Sequence, residues 1–204
     1  DILMPTTVLA ARCSNPTVKD IGHLTRIVRY VAGTIHLGLT FVGNHGIIPR
    51  IYADASHGLH EDGKGHGGIM ITLGSAPILC RSFKLKLTTR SSTESELVVL
   101  EEATTYCDWL KMLLTDLGYP VNKPIPIMQD NKSAIIIATM GGSFKRTKHM
   151  LIKQKFVQEK VQENKIKICY IPTKQMVADI LTKPISGSNY QALKNCLGLT
   201  NLRA

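Results

Sequence analysis

Nothing in this chain is long and apolar enough to span a membrane. Its longest apolar run covers residues 134–140, far short of the ~20 residues that cross a bilayer. Cysteine is sparse and badly spaced for chemistry. Cys13, Cys80, Cys107, Cys169 and Cys196 are odd in number, far apart, and form no C-x-x-C pair. A zinc site or a disulfide framework is therefore not expected, and a reducing compartment fits. Aromatic residues make up only 5%, so ring stacking is not expected to dominate contacts with nucleic-acid bases. No Tyr-x-Asp-Asp string occurs, which excludes the polymerase catalytic signature. The opening Asp1-Ile2-Leu3-Met4 lacks the basic flank of a signal peptide. A start at Asp rather than Met is expected of a piece of a longer protein.

What is present is a globular composition with a strong charge bias. The 204 residues are 44% hydrophobic and 20% charged, enough for one ordinary domain plus an appendage. The net charge of +10 favours a polyanionic partner and says nothing of the fold. No internal repeat or low-complexity tract is apparent.

The periodicity changes several times along the chain. Residues 1–12 are apolar without a pattern. Asn15 and Pro16 suit the cap and first position of a helix, and Val18, Ile21, Leu24, Val28 and Val31 then share one helical face. Gly33 ends that helix, which reads as a connector packed on a neighbour. Strand-like runs follow at residues 39–42, 48–53, 69–73 and 77–83, with turns at Gly43-Asn44-His45-Gly46 and Gly74-Ser75. Sequential strands with tight turns predict an antiparallel meander. Residues 58–68, rich in Gly and His, read as a loop. Ser91 and Glu94 have capping-box spacing. Behind them Leu97, Leu100, Ala103, Cys107, Leu110, Leu114 and Leu117 form a helical stripe that Gly118 terminates. A strand at 124–129, helices at 131–140 and 151–163, a strand at 166–171 and short helices at 178–182 and 190–197 complete the order. Strands alternating with helices after a meander predict a mixed sheet covered by helices, an α/β architecture.

Four carboxylates fall at the junctions of this pattern. Asp54 ends the run Arg50-Ile51-Tyr52-Ala53-Asp54. Glu96 lies in the first turns of the long helix. Asp130 ends the strand after Gln129, and Asp179 lies in a short C-terminal helix. Carboxylates are the hard oxygen ligands that Mg²⁺ prefers. Two such ions about 3.5–4 Å apart activate water and stabilise a leaving oxygen at a phosphodiester. An Asp at a strand end is also an ordinary turn former, so each position alone is weak and the set carries the reading.

Five strings in order sharpen it. They are Tyr52-Ala53-Asp54-Ala55-Ser56, Ser91-Ser92-Thr93-Glu94-Ser95-Glu96-Leu97, Gln129-Asp130-Asn131-Lys132-Ser133-Ala134, Arg146-Thr147-Lys148-His149 and Ala178-Asp179-Ile180-Leu181-Thr182-Lys183-Pro184. Together they resemble the ribonuclease H portion of copia-type LTR retrotransposon Pol polyproteins, over roughly residues 10–199. Tyr30-Val31-Ala32-Gly33-Thr34 is similar to the connection after the reverse transcriptase, and Leu197-Gly198-Leu199 to the end of Pol. The resemblance implies three parts: a reverse transcriptase tail at 1–36, a ribonuclease H domain at 37–184, and a C-terminal helix and tail at 185–204. It implies a ribonuclease H-like fold with a mixed five-stranded sheet, meander plus parallel strands, flanked by helices.

The resemblance further implies a metal-dependent endonuclease cutting the RNA strand of RNA–DNA hybrids during reverse transcription. Asp54, Glu96, Asp130 and Asp179 would be its catalytic metal ligands, holding two Mg²⁺ ions, with Mn²⁺ as a substitute. Glu96 is preferred over Glu94, because Glu94 fits the cap and Glu96 precedes Leu97-Val98-Val99-Leu100 as the family's ligand Glu precedes its apolar run. The implied partners are the hybrid and the upstream reverse transcriptase, with no membrane. The implied location is a cytoplasmic virus-like particle, with the nucleus as a second compartment. Ser56 could contact a 2′-hydroxyl, or simply be a turn serine. Asn131 and Ser133 could hold a phosphate at a helix start, or cap that helix. Lys145, Arg146, Lys148 and His149 read as a basic loop suited to backbone phosphates, which Lys153, Lys155 and Lys160 would extend. Cellular ribonucleases H usually carry a His in the loop before the last carboxylate. Here that loop is Pro172-Thr173-Lys174-Gln175-Met176, leaving Lys174, solvent or another group to serve. His57, His60 and His66 crowd the loop after Asp54 without a zinc spacing, and an exposed substrate-side loop is preferred. An inactive or domesticated nucleic-acid-binding module of the same fold stays open as the alternative. So does a nuclease of the same fold with another substrate.

Overall fold

A computed structural model of the chain describes residues 1–41, 48–74, 76–141 and 148–202. Period-two alternation builds its central sheet. In β2 (Pro49–Ser56), Ile51, Ala53 and Ala55 enter the main core, while Tyr52 packs on the opposite face. β3 (His66–Leu73) lies antiparallel to β2, with Tyr52 opposite Met70 and Asp54 opposite Gly68. β4 (Ala76–Lys84) adds antiparallel to β3. β5 (Ile125–Gln129) joins β2 in parallel, and β6 (Ile166–Tyr170) joins β5 in parallel. The sheet order is β4-β3-β2-β5-β6, the expected meander plus parallel strands.

One face of the sheet is covered by helix α3 (Ser92–Asp116), whose predicted stripe is buried except for Leu117, which sits exposed at the C-cap. Leu97, Leu100, Ala103, Cys107, Leu110 and Leu114 are buried over Ile51, Ile69, Ile71, Ile125 and Ile127. Each fully buried aliphatic side chain of this kind contributes about 1.5–3 kcal/mol. Ser91 accepts the amide of Glu94 at 3.2 Å, but the Glu94 carboxylate takes the Arg90 amide at 2.8 Å. The box is thus half formed. Gly118 ends the helix in the left-handed region, at φ +83°. Helices α4 (Lys132–Met140) and α5 (Lys148–Gln162) pack beside α3, with Ala138, Met150 and Val157 in the same core.

The other face is thinner. Met70, Ile180, Leu181 and Leu197 form a second apolar cluster, joined by Leu3 and Tyr52. It seats the 3-10 helix Val177–Leu181, which carries Asp179. Gly68 permits this close approach. A Cβ there would meet Thr182 Cγ2 at 2.6 Å, Leu181 Cβ at 2.8 Å and the Ala178 carbonyl at 3.1 Å. Gly68→Ala is therefore expected to lower stability by about 1–3 kcal/mol, the usual range for overpacking. Urea melts read this, and an unchanged midpoint would show that the segment lifts freely.

Several sequence expectations need correction. Residues 39–41 are not the first strand of the meander, and Val42 lies outside the described residues. β1 (Leu37–Leu39) instead pairs antiparallel with β7 (Leu199–Asn201), a partner from the other end of the chain that alternation cannot name. Residues 3–10, read as patternless, form helix α1 (Leu3–Ala10), and its Thr7 hydroxyl donates to the Ser82 carbonyl of β4 at 3.2 Å. Helix α2 (Val18–Gly33) is capped by Thr17 rather than Asn15, because Thr17 and Asp20 satisfy each other's backbone amides reciprocally. Its apolar face is exposed within this chain: Val18, Ile21, Leu24, Val28 and Val31 all remain open to solvent. The expected short helix at 178–182 is a 3-10 helix. The closing helix is α6 (Gly187–Cys196). The turn at Gly43-Asn44-His45-Gly46 and Ser75 lie outside the described residues.

Candidate metal centre

The carboxylates meet where β2 and β5 end side by side. Ligand oxygens of Asp54, Glu96 and Asp130 all lie within 4.8 Å of one another. Among the described residues this is the one group of three or more His, Cys, Asp or Glu side chains so placed. Parallel pairing of β2 with β5 brings Asp54 and Asp130 to one sheet edge, and the first turns of α3 lower Glu96 onto it. Glu94 stays at the cap, and Glu96 is the one that lies in the cluster.

Burial and like charge together strain these groups. Asp54 is only 1% exposed and Glu96 4%. Burial, opposed by Lys183 and reinforced by Asp179 and Asp130, raises the Asp54 carboxyl from 3.8 to about 6. Burial and then the charges of Asp54 and Asp130 push Glu96 well above its ordinary value. An all-oxygen donor set, desolvated and mutually repelling, suits a hard divalent cation. The donor chemistry therefore fits the implied metal.

Asp179 does not enter the group of three. It lies beside it, and its Oδ1 accepts from Lys183 Nζ at 2.6 Å. Lys183 also lies 3.5 Å from both Asp54 oxygens. Burial works against its charge, yet Asp54 and Asp179 hold the ammonium pKa above its ordinary value.

Three further side chains fix the carboxylates, and none was singled out from sequence. Gln129 Nε2 donates to Glu96 Oε2 at 3.2 Å, while its Oε1 accepts the amides of Asp130 and Asn131 at 2.8 and 2.9 Å. It thus locks α3 to the end of β5. A polar residue at the inward parity of a strand, after Ile125 and Ile127, was the available signal. The buried Thr182 hydroxyl donates to Asp54 Oδ2. The Thr173 hydroxyl donates to Asp130 Oδ2 at 2.7 Å.

The remaining expectations divide. Asn131 caps α4, its Oδ1 accepting the Ala134 amide at 3.0 Å. Its bland role is filled, and Ser133 stays exposed beside it. Ser56 closes β2, half-buried and opposite His66. Lys145 and Arg146 lie outside the described residues. Lys148 and His149 are exposed, but in the first turn of α5 rather than in a loop. Lys153 and Lys160 pair with Glu101 and Asp108, which neutralises part of the expected basic track. Lys174 is exposed on a 3-10 turn, Thr173–Gln175.

The three histidines do not form an exposed loop. His66 belongs to β3 and is fully buried. Ser82 Oγ donates to the Leu181 carbonyl at 2.7 Å and so receives the His66 Nε2 proton at 2.6 Å. His66 Nδ1 must then accept from His60 Nε2 at 2.9 Å. Burial, followed by His60, holds His66 down to about 4, so it stays neutral. This chain pins the 3-10 helix to the sheet. His57 contacts Thr89 and Ser95 instead.

No family model matches the chain. Curated proteins do. It is 31% identical over 188 residues to the retrovirus-related Pol polyprotein from transposon RE1 of Arabidopsis thaliana, covering 92% of this chain and 13% of that one. It is 28% identical over 200 residues to the Pol polyprotein from transposon TNT 1-94 of Nicotiana tabacum, covering 98% and 15%. With the Ty1-JR2 Gag-Pol polyprotein of Saccharomyces cerevisiae the identity is 26% over 202 residues, covering 96% and 11%. The chain belongs to the copia-type Pol polyproteins. It spans well under a fifth of the length of these relatives. Among solved structures, LC11-RNase H1, isolated from compost by a metagenomic approach, matches with a TM-score of 0.50 at 18% identity. The match covers 74% of this chain and 98% of that one. The segment of Pol described here therefore has the ribonuclease H fold, as its strings and element order implied. No helix among its described residues is long and apolar enough to cross a membrane.

Proposed function

We propose that this Pol segment is a divalent-metal-dependent ribonuclease H that hydrolyses the RNA strand of RNA–DNA hybrids. The observation that carries the reading is the convergence of Asp54, Glu96 and Asp130 within 4.8 Å at the sheet edge of this fold. Asp54, Glu96 and Asp130 would hold one cation, and Asp179 with Asp54 would offer oxygens for a second. Divalent ions bound there would supply activation of the attacking water and neutralisation of charge on the leaving 3′-oxygen. The products are a 5′-phosphate and a 3′-hydroxyl. Gln129, Thr173 and Thr182 keep the carboxylates aimed, so little reorganisation is needed when substrate arrives.

The net charge of +10 draws in the hybrid, and the exposure of Ser133, Lys148 and His149 supports a role for them in meeting its phosphates. Arg146, from the string it shares with Lys148 and His149, and its neighbour Lys145 would act with them. With no histidine in the loop at 172–176, proton delivery to the leaving group falls to Lys174 or solvent. The open apolar face of α2 supports contact with the reverse transcriptase of the same polyprotein, since a stripe of that size marks an interaction surface. The setting that follows is reverse transcription inside a cytoplasmic virus-like particle.

The test is cleavage of a labelled RNA–DNA hybrid by the full chain in Mg²⁺ or Mn²⁺. Cutting of the RNA strand alone, abolished by EDTA, is expected. Binding without cutting in either metal would support the non-catalytic alternative, and cutting of duplex DNA in its place would redirect the substrate.

A further inference from the structure

Lys183 stands where a second cation would have to stand. An ion shared by Asp54 and Asp179 needs their oxygens at about 2.0–2.1 Å for Mg²⁺. The Lys183 ammonium already sits between those two side chains, 2.6 Å from Asp179 Oδ1 and 3.5 Å from both oxygens of Asp54. Two cations of like sign cannot share that gap without strong repulsion. The pairing is also more than a surface contact between residues four apart. Asp54 is buried and comes from a strand 129 positions away. Meanwhile, among the described residues, Glu96 and Asp130 accept hydrogen bonds from Gln129 and Thr173 and form no ion pair.

The backbone is built to hold this residue while leaving its side chain free. The amides of Thr182 and Lys183 both bond the Asp179 carbonyl, at 3.1 and 3.0 Å. Thr182 is tied to Asp54, Leu181 to Ser82, and Pro184 follows. The Lys183 side chain is 37% exposed, and its four-carbon stem can carry the ammonium out to water.

We propose that Lys183 is a resident countercation, a positioning residue that makes the cluster load its divalent ions in order. The first ion goes to Asp54, Glu96 and Asp130. The second enters between Asp54 and Asp179 only as the Lys183 ammonium swings out. This rests on the metal-dependent reading above and adds to it a rule for occupancy.

Mn²⁺ titration of the full chain, followed by the paramagnetic resonance of free Mn²⁺, tests the rule without any turnover. Wild type is expected to bind one Mn²⁺ well and a second far more weakly. Lys183→Met removes the charge and should tighten the second site about tenfold or more, as expected for removing a unit charge within 4–6 Å. Lys183→Arg keeps the charge and should titrate like wild type. A measurement on the unaltered protein covers the case in which Lys183→Met fails to fold. Acetylation of Lys183, read by mass spectrometry, should be slow without metal and several-fold faster once the second Mn²⁺ is bound. Equal affinity for two ions in wild type, with acetylation insensitive to Mn²⁺, overturns the role of Lys183 and leaves the metal centre standing. No Mn²⁺ bound by any of the three proteins overturns both.

Discussion

Asp130→Asn is expected to slow hybrid cleavage about a thousandfold while leaving hybrid binding within a few-fold of wild type. Asp130 supplies one of three oxygens that converge within 4.8 Å. A metal ligand of this kind is worth several kcal/mol of transition-state stabilisation, and each 1.36 kcal/mol is tenfold in rate. The substitution is close to isosteric. Asn can still accept the Thr173 hydroxyl that now bonds Asp130 Oδ2 at 2.7 Å, so the local fold is kept and only the charge is lost. Asp54 would be a poorer probe, because its loss also releases Thr182 and Lys183. Binding should persist because phosphate contacts, spread over a surface of net charge +10, dominate affinity. Single-turnover cleavage beside fluorescence anisotropy on the same hybrid measures both. Undiminished cutting would remove Asp130 from the mechanism.

The two halves of this centre differed in how easily they could be read from sequence. Asp54 lies near the end of β2 and Asp130 just after β5, strands whose alternation is plain, and Glu96 follows a cap that Ser91 announces. Each of these is a local signal: a period, a cap, a strand end. The side chains that aim the carboxylates are not local. Thr182 reaches Asp54 across 128 positions and Gln129 reaches Glu96 across 33. Such contacts exist only once β2 and β5 are paired and the 3-10 helix is seated. His66 shows the same limit. A Gly- and His-rich stretch reads as an exposed loop, yet His66 is buried because Ser82 of β4 and His60 satisfy both ring nitrogens. The misplaced strand at 39–42 fails for a related reason. Alternation says that a segment is extended, and it cannot say that the partner is Leu199–Asn201 at the far end. Lys183 shows the same limit, since its spacing from Asp179 shows one contact and hides the one to Asp54.

Stability should depend on pH in the metal-free protein, and a divalent cation should oppose that dependence. Asp54 titrates at about 6 in the folded protein against 3.8 unfolded. Between those values the native state holds a proton that the unfolded chain has released, so its contribution is full below pH 3.8 and is lost as pH rises through 6. The size is about 3 kcal/mol at 1.36 kcal/mol per pKa unit. His66 works the other way. Buried and held at about 4 against 6.5 unfolded, it destabilises the fold as pH falls through the same window, by a similar amount of about 3 kcal/mol. Glu96, also raised by burial and by its neighbours, acts in the same direction as Asp54, so the metal-free wild type is expected to lose stability in urea melts as pH rises from about 4.5 to 7, with His66 offsetting part of the loss. Asp54→Asn should make that loss smaller. A cation binds the ionised carboxylates alone, so at a hundred times its dissociation constant it should add about 2.7 kcal/mol near pH 7.5. At pH 4.5, where Asp54 and Glu96 hold their protons, it should add almost nothing. An equal gain from Mg²⁺ at both values would mean that the ion binds somewhere other than among Asp54, Glu96 and Asp130.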